Sequence, residues 1–157
     1  MRAITLWEPF ATLIAVGDKT FETRSRPPSG AIGERIAIHA GAREDYDVSS
    51  RAGIWTHSKE IVATAVIGWA GQVGEQRGDT VLFRRVLSLR TDLEILDPRV
   101  GLTLSENDQR YGDFSVGRWA WSLHDVRRLT EPVAVRGRQG IWTLDPDVAY
   151  LVRERGG

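Results

Sequence analysis

The stretch from Leu6 to Arg24 constrains this chain more than any other part of it. It reads as a strand end, a short helix, a glycine stop and a charged segment. Pro9 suits the first turn of a helix, where its missing N–H costs nothing. Phe10, Leu13, Ile14 and Gly17 recur at i, i+3, i+4 and i+7, which gives a Pro9–Val16 helix one apolar face. Gly17 stands where a helix ends in a left-handed residue. Lys19, Glu22 and Arg24 follow at once, so two cations and a carboxylate crowd against the end of a buried helix. That makes this stretch the first candidate for binding or catalysis. Thr20, Phe21 and Thr23 favour a strand over 18–24. Strict alternation there groups Glu22 with Thr20 and Arg24, and Lys19 with Phe21. Spacing alone leaves open whether Lys19 and Glu22 converge, because Lys19 is equally assignable to the turn.

The rest of the chain reads as strands with few helices. Arg2–Leu6 is the first strand. Ser25 to Gly30 is a loop by composition. Glu34–Ala40 alternates as a strand, with Ile36, Ile38 and Ala40 on one face and Arg35, Ala37 and His39 on the other. Residues 41–59 are polar and fit a helix broken at Gly53. Ile61–Val73 carries apolar residues on both faces, as in a strand covered on both sides. Leu82, Val86 and Leu89 fall at i, i+4 and i+7, which predicts a helix over Asp79–Leu89 with Asp79 as its cap. Residues 91–107 fit no element. Arg118–Leu123 and Glu131–Val135 are further strands. Gly137-Arg138-Gln139-Gly140 is a turn, and Ile141–Leu144 returns to strand. Asp145 caps a last helix with Pro146 at its first position, running to about Arg155.

Composition narrows the classes of function. At 157 residues the chain is one domain by size. It has no cysteine, hence no disulfide and no thiolate chemistry. It has no long apolar run for a membrane span and no apolar leader after Met1, so cytoplasmic residence is the expectation. Lys and Arg number 21, as do Asp and Glu, so any site for a polyanion is a local patch rather than a property of the whole surface. Six tryptophans are many for this length, and tryptophan serves both cores and base stacking.

Three segments together resemble a known family. The first is Leu6-Trp7-Glu8-Pro9-Phe10-Ala11 with Gly17-Asp18-Lys19-Thr20-Phe21-Glu22-Thr23-Arg24, which fits a Gly-x-Lys-x-x-Glu-x-Arg signature. The second runs from Tyr111 to Trp121, and the third from Pro132 to Trp142. In this order they resemble the ASCH domain of the PUA-like superfamily. The resemblance implies an α+β fold, a small mixed β-barrel with flanking helices, over 1–157, with about 79–107 as a candidate insertion. It also implies a cleft beside the first helix and a nucleic-acid or modified-base ligand. One bacterial branch of the family is an amidohydrolase on N4-acetylcytidine, in which the signature lysine works with a threonine three residues later and a distant glutamate. Lys19 fits that lysine, but Glu22 stands at the threonine position, with Thr20 and Thr23 out of register. A carboxylate does not replace a hydroxyl in acyl transfer, so binding ranks above catalysis.

The expected ligand is RNA, another single-stranded nucleic acid or a nucleoside. Trp7, Lys19, Glu22 and Arg24 would surround a base. Arg136 and Arg138 suit phosphate, and Gln139 on the same turn suits a base edge. Tyr111 is an additional stacking candidate. Against each stands a structural role: an ion pair closing a turn for Lys19 and Glu22, a packed corner for Trp7, and a polar turn for Arg136 to Gln139. Trp69, Trp119, Trp121 and Trp142 read as core. If the chain is an enzyme, it is a hydrolase, amidohydrolase or ribonuclease, with Lys19 and Glu22 as base and acid. A protein-interaction module docking through 79–107 is the remaining class. No cofactor is expected. His39, His57 and His124 lack metal-ligand spacing, and His39 reads as a satisfied wall residue.

Overall fold

The computed structural model describes residues 1–54, 59–90 and 101–156. In chain order the elements are β1 (Arg2–Glu8), α1 (Phe10–Ala15), β2 (Phe21–Arg24), β3 (Arg35–Glu44), α2 (Tyr46–Ala52) and β4 (Glu60–Arg77). They continue with β5 (Thr80–Ser88), β6 (Leu102–Thr103), α3 (Glu106–Tyr111), β7 (Trp119–Ala134), β8 (Ile141–Thr143) and α4 (Pro146–Arg155). Contacts divide them into two units. One holds Met1–Asp18, Arg35–Ala65 and Asp125–Gly157; the other holds Lys19–Glu34 and Val66–His124. The long strands β4 and β7 contribute a segment to each.

In the first unit the strand order is β7-β4-β3-β1-β8. β1 runs parallel to β3, pairing Arg2 with Ile36 through Leu6 with Ala40, and antiparallel to β8. Ile36 to Ala40 are all buried, so β3 is covered on both faces, as a strand with a parallel neighbour commonly is. Pro9 caps α1, whose Ala11, Leu13 and Ile14 are buried, and Gly17 follows with φ +87°. α2 begins at Asp45, which accepts a hydrogen bond from Val48 N at 3.1 Å, and stops at Gly53 with φ +66°. The break read at Gly53 is therefore a left-handed helix end. α4 starts at the Asp145-Pro146 pair and sends Ala149 and Val152 into a core with Ala3, Ala37, Ile61, Leu129 and Trp142.

In the second unit the order is β2-β7-β4-β5, with β6 on β5. Its core gathers Trp69, Val73, Val81, Phe83, Leu104, Phe114 and Ala120, with Phe21 packed against them. The helix expected over 79–89 is instead strand β5, antiparallel to β4. Leu82, Val86 and Leu89 keep helical spacing, but Val81 and Phe83 are the buried pair, two residues apart as a strand requires. Arg77 pairs with Thr80 across Gly78 and Asp79, with Gly78 at φ +62°. A glycine first in a two-residue loop is a hairpin signal, and it overrides the weak helical periodicity. Residues 91–100, most of the stretch that fitted no element, and Trp55 to Ser58, which include His57, lie outside the described residues. The strands read separately at 118–123 and 131–135 are the two ends of β7.

Gly71 on β4 is needed for close approach: a Cβ there would lie 2.3 Å from Phe83 Cδ1, and Phe83 in turn meets Trp69 edge-on at 5.4 Å. Gly71→Ala is therefore expected to destabilise by about 1–3 kcal/mol through overpacking, read as a lowered urea midpoint at unchanged slope. Among the described residues no helix is long and apolar enough to cross a membrane.

Candidate ligand-binding site

The charged residues of the first-helix signature come together in the second unit. Lys19 precedes β2 rather than belonging to it, so its long side chain is free of strand alternation. Its Nζ donates to Glu22 Oε2 at 3.2 Å and to the Phe21 carbonyl. Glu22 and Arg24 lie two apart on β2 and share a face, and Arg24 Nε donates to Glu22 Oε1 at 3.1 Å. One carboxylate thus joins two cations. Lys19 is 2% exposed and Glu22 8%, while the Arg24 side chain is 23% exposed. The reverse face of β2 directs Phe21 onto Trp69 and Phe114, which anchors the strand.

β7 supplies the floor. Glu22 pairs with Trp121 and Arg24 with Trp119. The Arg24 guanidinium lies 5.6 Å from the Trp121 ring centroid, within cation–π range. The Trp121 indole N–H donates to the Arg26 carbonyl at 3.1 Å. Trp121 is core, as its pattern implied, and also a wall of the charged group.

The turn carrying Lys19 is held by Asp108, which is 3% exposed. Its Oδ1 accepts from Thr20 N at 2.8 Å and Phe21 N at 3.3 Å, and its Oδ2 accepts from Thr20 Oγ1 at 2.7 Å. Ser105 caps α3 by accepting from Asp108 N at 3.0 Å, and its hydroxyl donates to Asp108 Oδ2 at 2.8 Å. The Ser105-x-x-Asp108 spacing, a helix-start signal, was the readable trace of this clamp. At the other end of β2, Thr23 Oγ1 accepts from Asp113 N at 3.0 Å and the Thr23 carbonyl accepts from Arg118 at 2.8 Å. The Asp113 carboxyl is held below the usual range, first by the Ser115 hydroxyl and further by the Ser115 N–H and Arg118.

The other expected site residues are not part of this group. Tyr111 ends α3 in the second unit and makes no side-chain hydrogen bond, ion pair or ring contact among the described residues. Trp7, Arg136, Arg138 and Gln139 belong to the first unit. Trp7 is 49% exposed, with the Arg43 guanidinium 5.4 Å from its ring centroid. Arg136, Arg138 and Gln139 are exposed on the turn between β7 and β8, with Arg138 5.7 Å from the Trp142 ring centroid. Among the described residues no group of three or more His, Asp or Glu side chains is placed to hold a metal.

A mixed sheet bordered by short helices makes this a PUA-like α+β fold, and it is the fold of the solved ASCH structures on which the chain superposes. The chain superposes over 98% of its length on ASCH from Zymomonas mobilis, with a TM-score of 0.54, 21% identity and 93% of that chain covered. A serine-to-alanine variant of the same protein gives 0.55 with 94% covered, and a tyrosine-to-phenylalanine variant 0.53 with 96%, both at 21% identity over 98% of this chain. No family model and no curated protein matches the chain.

Proposed function

We propose that the chain binds single-stranded RNA, or a nucleoside of the same chemistry, at the Lys19–Glu22–Arg24 group. The observation that carries this is the burial of the Lys19 ammonium against Glu22. Taking two charges out of water costs several kcal/mol per ion, and an apolar pair of similar size commonly serves stability as well or better. Stability alone therefore gives little reason for the pair, whereas a ligand does. Two of the three Lys19 N–H groups meet Phe21 and Glu22, which fixes the Glu22 carboxylate beside Arg24. Arg24 carries a planar donor fork suited to a base edge or a phosphate. With net charge zero, few phosphates are neutralised, so binding is modest and its log–log salt slope is about −2 or shallower.

Fluorescence anisotropy with a labelled single-stranded RNA of mixed sequence tests the reading. Arg24→Ala is expected to weaken binding by about 1–3 kcal/mol with the fold retained. Binding unchanged by that substitution would remove the group from recognition.

The contact between Lys19 and Glu22 favours one second reading, a hydrolase in which they exchange a proton with substrate. Incubation with N4-acetylcytidine and mass detection of cytidine decides it. Cytidine from the parent but not from Lys19→Ala supports hydrolysis, and no cytidine from either leaves binding ahead.

A further inference from the structure

His39 belongs to none of the groups above. It sits on β3 opposite Thr5 of β1 and is 1% exposed. Its Nε2 lies 3.0 Å from the Val135 carbonyl oxygen. A carbonyl only accepts, so the proton of the neutral ring is on Nε2 and Nδ1 is a bare lone pair. That Nδ1 is buried without a hydrogen-bond partner, so His39 is a half-satisfied residue rather than the satisfied one its pattern implied. Gly137 closes over the same edge. A Cβ on Gly137 would lie 2.5 Å from His39 Cε1, 2.7 Å from Nδ1 and 2.9 Å from Thr5 Oγ1, so the ring fills the space a side chain would need. Trp142 meets the imidazole edge-on at 5.9 Å, its indole N–H donates to Thr5 Oγ1 at 3.2 Å, and its ring carries Arg138. The end of β7, the turn after it and β8 thus all rest on one imidazole.

We propose that His39 is an acid-sensitive latch on the 136–140 turn, closed when the ring is neutral and released when Nδ1 takes a proton. A proton on Nδ1 creates a buried N–H with no acceptor in place and a buried charge, and both are costly. The elements packed on the ring offer mostly cations. The turn carries Arg136 and Arg138, and β4 is preceded by Lys59, whose carbonyl accepts from Val135 N at 3.1 Å. Glu60 follows Lys59, while β1 and β8 present Thr5 and Trp142. Lifting Gly137 off the ring gives the new N–H to water, which is why the turn is the part that yields.

Burial pushes the His39 pKa below 6.5, opposed by its bond to Val135. The open turn therefore takes the proton before the closed one does. Closure is at full strength above 6.5 and is lost as pH falls from there through the lower folded value. The latch stands whether or not the turn meets a ligand.

NMR of the parent and of His39→Gln tests it. Glutamine keeps an N–H for Val135 and does not titrate. As pH falls from about 7.5 to about 5, across the histidine range, the His39 ring is expected to titrate with a midpoint below 6.5. The Arg136–Gly140 amides and the Trp142 indole N–H should shift with that same midpoint. Amide protection in the turn, corrected for intrinsic exchange, should fall about tenfold per pH unit between 6.5 and the midpoint. In His39→Gln these signals should stay flat. A turn that responds equally in His39→Gln, or that ignores the titration of His39, overturns the latch, as does a midpoint at or above 6.5. Should His39→Gln fail to fold, the coincidence of ring and turn midpoints in the parent decides alone.

Discussion

Replacing Lys19 with methionine is expected to cost about 3 kcal/mol or more of stability and to abolish RNA binding. Methionine fills the same buried volume, so the loss is electrostatic. Glu22 is left at 8% exposure with one of its two cations gone. The double variant Lys19→Met/Glu22→Leu removes that penalty, because neither charge is then buried, and it is expected to recover most of the stability. Binding should not recover with it. Urea denaturation and anisotropy read the two quantities separately. A double variant that regains both stability and RNA binding would make the pair purely structural.

Asp108→Ala is expected to cost about 2–3 kcal/mol and to weaken binding beyond what that loss explains. The substitution strips the acceptor from Thr20 N, Thr20 Oγ1 and Phe21 N at once. Each buried donor left unpaired costs about 1–3 kcal/mol, but Thr20 is exposed and water restores part of it. The turn then no longer holds Lys19 at Glu22. Hydrogen exchange should show the Thr20 and Phe21 amides losing protection more than the β4–β5 hairpin does. Uniform loss across the second unit would mean that Asp108 supports the fold and not the turn.

Local signals carried much of the fold. Gly17, Gly53 and the Asp145-Pro146 pair marked helix ends because each acts through its own backbone. β5 was misread because Leu82, Val86 and Leu89 satisfy a helical spacing while a two-residue turn decides the outcome. The first-helix signature located the charged group, yet alternation left Lys19 and Glu22 unresolved. They meet because Lys19 stands just before β2, outside its alternation. Trp121 was legible as core but not as the wall beside Arg24, since that depends on the register of β2 against β7. Ser105-x-x-Asp108 marks the start of α3 in the sequence but not what the Asp108 carboxylate reaches, a turn 88 residues earlier in the chain. Trp7 and the 136–140 turn, expected beside Lys19, fall by contacts in the first unit, and Lys19 falls in the second.

The most direct test of the central claim is an amide and indole NMR titration of the parent protein with a single-stranded RNA of mixed sequence. Binding at the Lys19–Glu22–Arg24 group predicts saturable shifts concentrated at Lys19–Arg26 and at the Trp121 indole N–H, absent in Lys19→Met/Glu22→Leu. Saturable shifts that leave those signals in place, or no shifts at all, would contradict it.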